Sequence, residues 1–174
     1  KPICYSKNWK MSYRTQWLTK PIDGRVYLTG NVMVNKYYGS CLCGRVGYEV
    51  SRDFDAFYLC HCSRCQKDTG SAHAANLFAK AGRLVWLKGE TDVNHYQHPG
   101  SLHTKSFCQC CGSALPSFSE SINCVVVPAG SLDTPIPVTP TAKIFVANCA
   151  AWSADLSNVP SFDALPGQAK RDPK

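Results

Sequence analysis

The sequence predicts a mainly β chain stapled by clustered cysteines, with a helix and a hairpin appended at its N-terminus. Three observations carry this. From residue 41 onward, short segments of alternating apolar residues follow one another, separated by Gly, Pro, Asn and Asp. The cysteines come in tight clusters, C-x-C at 41–43, C-x-C-x-x-C at 60–65 and C-x-C-C at 108–111, rather than spread along the chain. Residues 1–38 follow a different pattern, aromatic and basic.

In that first segment, YSKNWKMSYRTQWLTKP, the aromatic residues Tyr5, Trp9, Tyr13 and Trp17 recur at every fourth position. On a helix this spacing makes one aromatic stripe, and Pro21 follows where the helix should stop. VYLTGNVMV then alternates on both sides of Gly30-Asn31, the pair expected at a tight hairpin turn. A stripe at helical spacing usually means burial, here on the domain or on a second subunit, which leaves a homodimer open.

The strands expected next are RVGYEV, in which Val46, Tyr48 and Val50 alternate, FYLC, NLFAK, RLVWLKG, LHTKSFC, NCVVVPAG and AKIFVAN. Only QKDTGSAHAA, residues 66–75, offers a turn or two of helix. A chain of 174 residues with 44% hydrophobic content buries one core, so the reading is an extension over 1–38, one domain over 39–166 and a fraying tail over 167–174.

The formal charge of +7 suggests nucleic acid until it is divided along the chain. Residues 1–40 carry seven Lys or Arg against one Asp, residues 41–174 twelve against eleven. The main body therefore gives no reason to expect a phosphate backbone. No window approaches the ~18 consecutive apolar residues of a membrane span. KPICYSKNWK is basic but is followed by no apolar run of the kind a signal peptide needs, so no membrane partner or secretory signal is expected.

Eleven cysteines, an odd number in C-x-C pairs that rarely suit disulfide geometry, read as thiolates for a soft metal in a reducing compartment, hence the cytoplasm. Cys41 and Cys43 in GSCLCG, and Cys108 and Cys111 in FCQCCG, each precede a glycine that can take the positive φ of a ligand turn. Together they supply four sulfurs, which closes a tetrahedral structural zinc. Cys60, Cys62 and Cys65 in LCHCSRCQKDTG supply three, and a zinc with three protein ligands keeps a position open for chemistry. Cys110, His61 or His73 could instead complete that second tetrahedron.

GSCLCGRVGYEV, LCHCSRCQKDTGSA, FCQCCGSAL and AKIFVANCAAW with LSNVPSFDALP, in this order, resemble the glutathione-dependent formaldehyde-activating enzyme family, also called the GFA or centromere-protein-V-like domain. The resemblance covers roughly residues 39–166. It implies a β-tent, a fold of coiled antiparallel sheets stapled by zinc, shared with methionine sulfoxide reductase B. It implies two zinc ions per chain, a structural one on Cys41, Cys43, Cys108 and Cys111 and a catalytic one on Cys60, Cys62 and Cys65. The activity it implies is carbon–sulfur lyase chemistry on S-(hydroxymethyl)glutathione, with a glutathione-like thiol and an aldehyde as partners. Residues 1–32 lie outside the resemblance, and Met33 is where a short member would begin, so the extension is an added segment, lineage-specific or derived from expression.

Such a reaction needs a thiolate, and zinc would ionise a thiol whose pKa is otherwise about 8.5. The new hydroxyl needs a proton, for which His61 and His73 stand nearest in sequence. The carboxylates of a glutathione-like substrate call for cations, and Arg64, Lys67 and Lys105 are placed to supply them. Three other classes compete. A purely structural zinc module would need the second site closed. A reductase would use Cys124 or Cys149, both in apolar runs that suit inert buried cysteine. A nucleic-acid binder would rest on residues 1–40 alone.

Overall fold

The computed structural model describes residues 25–26 and 34–167. These residues are mainly β with one α-helix, in three open sheets. A four-stranded antiparallel sheet has the order β1 (Arg25–Val26), β2 (Val34–Ser40), β3 (Gly47–Ser51), β6 (Arg83–Lys88). A five-stranded sheet runs β10 (Ser117–Ser119), β11 (Cys124–Pro128), β5 (Ala74–Lys80), β4 (Ala56–Cys60), β12 (Ala142–Ile144). The third sheet is β7 (Val93–Gln97), β8 (Thr104–Cys108), β9 (Ala114–Leu115).

The expected alternation in RVGYEV packs the core, because Val46, Tyr48 and Val50 are all fully buried. They meet Leu77 of β5, Val125 and Val127 of β11, and Leu115 of β9. Each such side chain contributes roughly 2 kcal/mol by leaving water. Tyr48 still satisfies its hydroxyl, which lies 2.6 Å from Ser131 Oγ. Gly39 makes that contact possible. A Cβ there would collide with the Tyr48 hydroxyl and the Ser131 carbonyl.

The five-stranded sheet separates two surfaces by strand parity. Phe57, Leu77, Ala79, Val125 and Val127 point into the core. Tyr58 and Cys60 alternate with them on β4, and the register sets Tyr58 opposite Asn76, and Phe78 opposite Val126. This second face is the one that matters for function.

Two expected elements differ from what forms. The helix α1 is Ser63–Thr69, beginning upstream of Gln66 and ending before His73. Cys62 caps its start, and Gly70 closes it with a φ of 64° and an N–H bonded to the Gln66 carbonyl. Ala74 already belongs to β5. The AKIFVAN strand stops at Ile144, because Phe145 takes a φ of 56° and Val146–Asn148 coils into a 3-10 turn. Cys149 consequently sits half-buried after that turn rather than inside a strand, whereas Cys124 is buried at the start of β11.

Sheet direction also departs from the all-antiparallel expectation, since β12 runs parallel to β4, with Ile144 opposite Cys60. The aromatic stripe of residues 5–17 and the Gly30-Asn31 turn lie outside the described residues. Arg25 and Val26 pair antiparallel with Asn35 and Val34. No helix among the described residues is long and apolar enough to cross a membrane.

Candidate metal centre

Two groups of thiols among the described residues bring their sulfurs within 4.8 Å of one another: Cys41, Cys43, Cys108 and Cys111, and separately Cys60, Cys62 and Cys65. The partition is the one read from spacing.

The first group joins two sheets. Cys41 and Cys43 stand in the turn after β2, Cys108 ends β8, and Cys111 stands in the turn between β8 and β9. Both turns close on glycines in the left-handed region, Gly44 at φ 70° and Gly112 at φ 73°. The Gly44 N–H bonds to the Cys41 carbonyl at 2.8 Å and the Gly112 N–H to the Cys108 carbonyl at 2.8 Å. The Val46 N–H points at Cys41 Sγ, 3.2 Å away, and Leu42 N–H ties the two turns together through Ser113 Oγ at 3.0 Å.

Cys41 and Cys43 sulfurs are 3.5 Å apart, and Cys43 and Cys108 sulfurs 3.9 Å. These separations are far beyond a disulfide bond of about 2.05 Å. They bracket the roughly 3.8 Å edge of a tetrahedron with sulfurs about 2.3 Å from a central zinc. Burial pushes the Cys43 and Cys108 thiols up, to about 11 and about 12. Burial also raises Cys111, but the Ser113 hydroxyl and backbone N–H and the neighbouring Cys43 bring it down to about 6. Four crowded sulfurs ionise together only around a cation, so the donor set fits zinc.

The second group is local. Cys60 ends β4, Cys62 caps α1 and Cys65 lies in its first turn, so these three sulfurs clip no distant strands together. Burial raises the Cys60 and Cys65 thiols. Cys62 is raised by burial too, yet the Cys65 backbone N–H and the adjacent thiols leave it below the ordinary value. Behind the group, the Gln66 amide bridges the His61 carbonyl at 2.5 Å and the Asn148 carbonyl at 2.7 Å, pinning the helix to the turn after β12.

A cavity of about 370 Å³ opens onto the second group. Its floor is the second face of the five-stranded sheet, with Tyr58, Asn76, Phe78, Val126 and Ile144. Its opposite wall is built by Ser101–Ser106 and β9, and Cys60, Cys62 and Cys65 line it beside Arg64 and Asp68. The Tyr58 and Phe78 rings pack 5.4 Å apart along the floor. A volume in this range suits a small organic ligand.

Every residue named on the cavity and in both cysteine groups falls within residues 36–148, which match the model of the glutathione-dependent formaldehyde-activating enzyme family. The chain belongs to that family. No curated protein matches it. A crystal structure of a Rhodobacter sphaeroides protein is similar at 22% identity, covering 61% of this chain and 98% of that one, with a TM-score of 0.49.

For a member of the formaldehyde-activating family, the expected helper residues fall unevenly around the cavity. Arg64 lines it and is exposed. Lys105 lines it too, but its ammonium is 2.5 Å from the Asp68 carboxylate and 2.7 Å from the Asp68 carbonyl. Lys67 is exposed on α1 and does not belong to the lining. Neither His61 nor His73 lines the cavity. Their rings meet at a 44° tilt with centroids 5.1 Å apart, and His61, 6% exposed, has both ring nitrogens buried without a hydrogen-bond partner. Burial lowers His73, helped by His61 and Lys143. Cys110 joins neither sulfur group and packs against the main core. Sequence reasoning missed Tyr58, Asn76, Asp68 and His103, because only the strand register brings them together.

Proposed function

We propose that this chain is a zinc-dependent carbon–sulfur lyase, or synthase in the opposite direction, acting on a thiol–aldehyde adduct such as S-(hydroxymethyl)glutathione. One observation carries the reading. The four-sulfur group is a complete donor set between sheets, whereas the three-sulfur group is one donor short of it and lines a ligand-sized cavity. We read the three open sheets, clipped by the four-sulfur group, as the β-tent that the family resemblance implies.

Zinc held by Cys60, Cys62 and Cys65 would supply Lewis acidity and keep an incoming thiol ionised at neutral pH. The surrounding residues do the rest. Arg64, at the mouth, offers a planar donor pair to a substrate carboxylate. Lys105 has its charge satisfied by Asp68 and shapes the wall instead. The apolar floor of Tyr58, Phe78, Val126 and Ile144 excludes water from the adduct, and the Asn76 amide, level with Tyr58, gives that floor a polar contact for the peptide-like part of the thiol.

Cobalt replacement tests the reading, because cobalt absorption reports the sulfur count. Glutathione should shift the spectrum of the second site from three-sulfur to four-sulfur character, and S-methylglutathione should not. If glutathione, cysteine and other thiols all leave the spectrum unchanged, the second site is closed, and a structural zinc module without catalysis becomes the better account.

A further inference from the structure

Joining a thiol to an aldehyde forms a C–S bond from a sulfur lone pair while the carbonyl π pair moves onto oxygen. That oxygen must gain a proton, and the thiol must lose one. Neither of the two histidines nearest the cysteines in sequence lines the cavity. His103 does line it, from the loop before β8.

His103 is tethered to the sulfur cluster. Its Nε2 lies 3.5 Å from Asp68 Oδ2, and the other Asp68 oxygen is held by Lys105 at 2.5 Å. Asp68 in turn follows Cys65 at the i,i+3 spacing on α1, which puts their Cβ atoms about 5–6 Å apart on one helix face. The loop fixes the backbone that carries the imidazole, since the His103 backbone N–H bonds to Ser101 Oγ at 3.2 Å and its carbonyl accepts the His98 backbone N–H at 2.9 Å. With an exposure of 18%, the side chain is neither sealed in the core nor loose in solvent. A carboxylate behind an imidazole orients the ring and fixes which nitrogen faces it, which is what a proton carrier needs.

We infer that His103, oriented by Asp68, carries the proton between the thiol and the aldehyde oxygen. In the synthetic direction it takes up the proton the thiol releases and delivers it to the oxygen as the C–S bond forms. In the reverse direction it removes the hydroxyl proton as the C–S bond breaks and the carbonyl reforms. Atoms and charge balance with no further reactant. This assignment rests on the proposed lyase reading, and Asp68 acts in it as a positioning residue.

The test uses the two-metal protein, with formaldehyde and glutathione turnover followed by stopped-flow trapping of the aldehyde. His103→Gln should retain both metals and the glutathione-induced cobalt shift and keep KM within about threefold, while kcat falls roughly 10²-fold. His103→Ala should regain part of its rate when free imidazole is added, which a merely structural histidine would not allow. An unchanged kcat in His103→Gln, or a slow His103→Ala that imidazole does not rescue, overturns the inference while leaving the lyase reading in place. A wild-type protein that neither shifts its cobalt spectrum with glutathione nor turns over the adduct removes both.

Discussion

Cys62 Sγ accepts the backbone N–H of Cys65 at 3.5 Å, so one thiol is both the cap of α1 and a member of the three-sulfur group. The two roles separate by substitution. Cys62→Ser keeps a capping oxygen, and serine is a strong N-cap, so the protein should stay folded and hold one zinc instead of two. Cys62→Ala should lose the same zinc and about 1 kcal/mol more, measured as a lower urea midpoint than that of Cys62→Ser. Equal midpoints would show that the sulfur does not cap the helix in solution.

The four-sulfur group should behave differently, because its donors join the turn after β2 to the turn after β8. Binding free energy at a closed zinc site is folding free energy. Cys41→Ser or Cys111→Ser should therefore abolish cooperative unfolding or cause aggregation, while Cys62→Ser does not. Thermal melts followed by circular dichroism, with zinc counted per chain, decide it. Comparable loss of folding in all three would remove the distinction between the two groups.

How legible was this in the sequence? The cysteine partition was fully so, because C-x-C turns closed by glycine are local chemistry, and Gly44 and Gly112 take the left-handed conformation that this chemistry asks for. The core parity of Val46, Tyr48 and Val50 was legible for the same local reason. The edge strand β7, VNHYQ, was not, since it is mostly exposed and shows no apolar alternation. Nor was the parallel pairing of β12 with β4, which depends on where the chain returns rather than on local composition. The cavity was least legible. Tyr58, Asn76, His103 and Ile144 meet only after three strand registers are set, so distance along the chain gave no pointer to His103.

Cys110 sits beside a ligand of the first group, yet packs with the main core and away from Cys60, Cys62 and Cys65. Cys110→Ala should keep two zinc ions and the full glutathione-induced cobalt shift. A drop to one zinc ion would make Cys110 a ligand and close the second site, ending the open-site reading.

Glu49 ties β3 to β2 through Lys36 Nζ, 2.9 Å from Oε1, and it also accepts the Ser51 hydroxyl at 2.9 Å. Its side chain is only 11% exposed. Burial alone would raise its carboxyl, but the bonds from Lys36, Ser51 and Tyr38 win and hold it below the ordinary 4.5. A carboxyl depressed on folding adds stability above its unfolded value and loses it as pH falls through its folded value. Glu49→Gln should accordingly cost about 1 kcal/mol at pH 7, with the cost constant down to about pH 5 and shrinking below pH 4.5. Urea titrations of both proteins across that range check it, and a difference that grows on acidification would reverse the sign argued here.

Arg64 and Lys105 both line the cavity, but of these two only Lys105 is paired with a carboxylate among the described residues. That leaves Arg64 as the cation available to an anionic substrate. A charge-assisted contact at a partly exposed site is worth about 1–1.5 kcal/mol, so Arg64→Ala should raise KM for glutathione roughly 5- to 10-fold with kcat nearly unchanged. A thiol without carboxylates, such as 2-mercaptoethanol, has nothing to lose and should show the same KM with both proteins. Lys67→Ala, off the lining, should match wild type for both thiols. Should Arg64→Ala weaken glutathione and 2-mercaptoethanol by the same factor, the arginine supports the cavity wall rather than reading the substrate's charge, and the carboxylate anchor must be sought elsewhere.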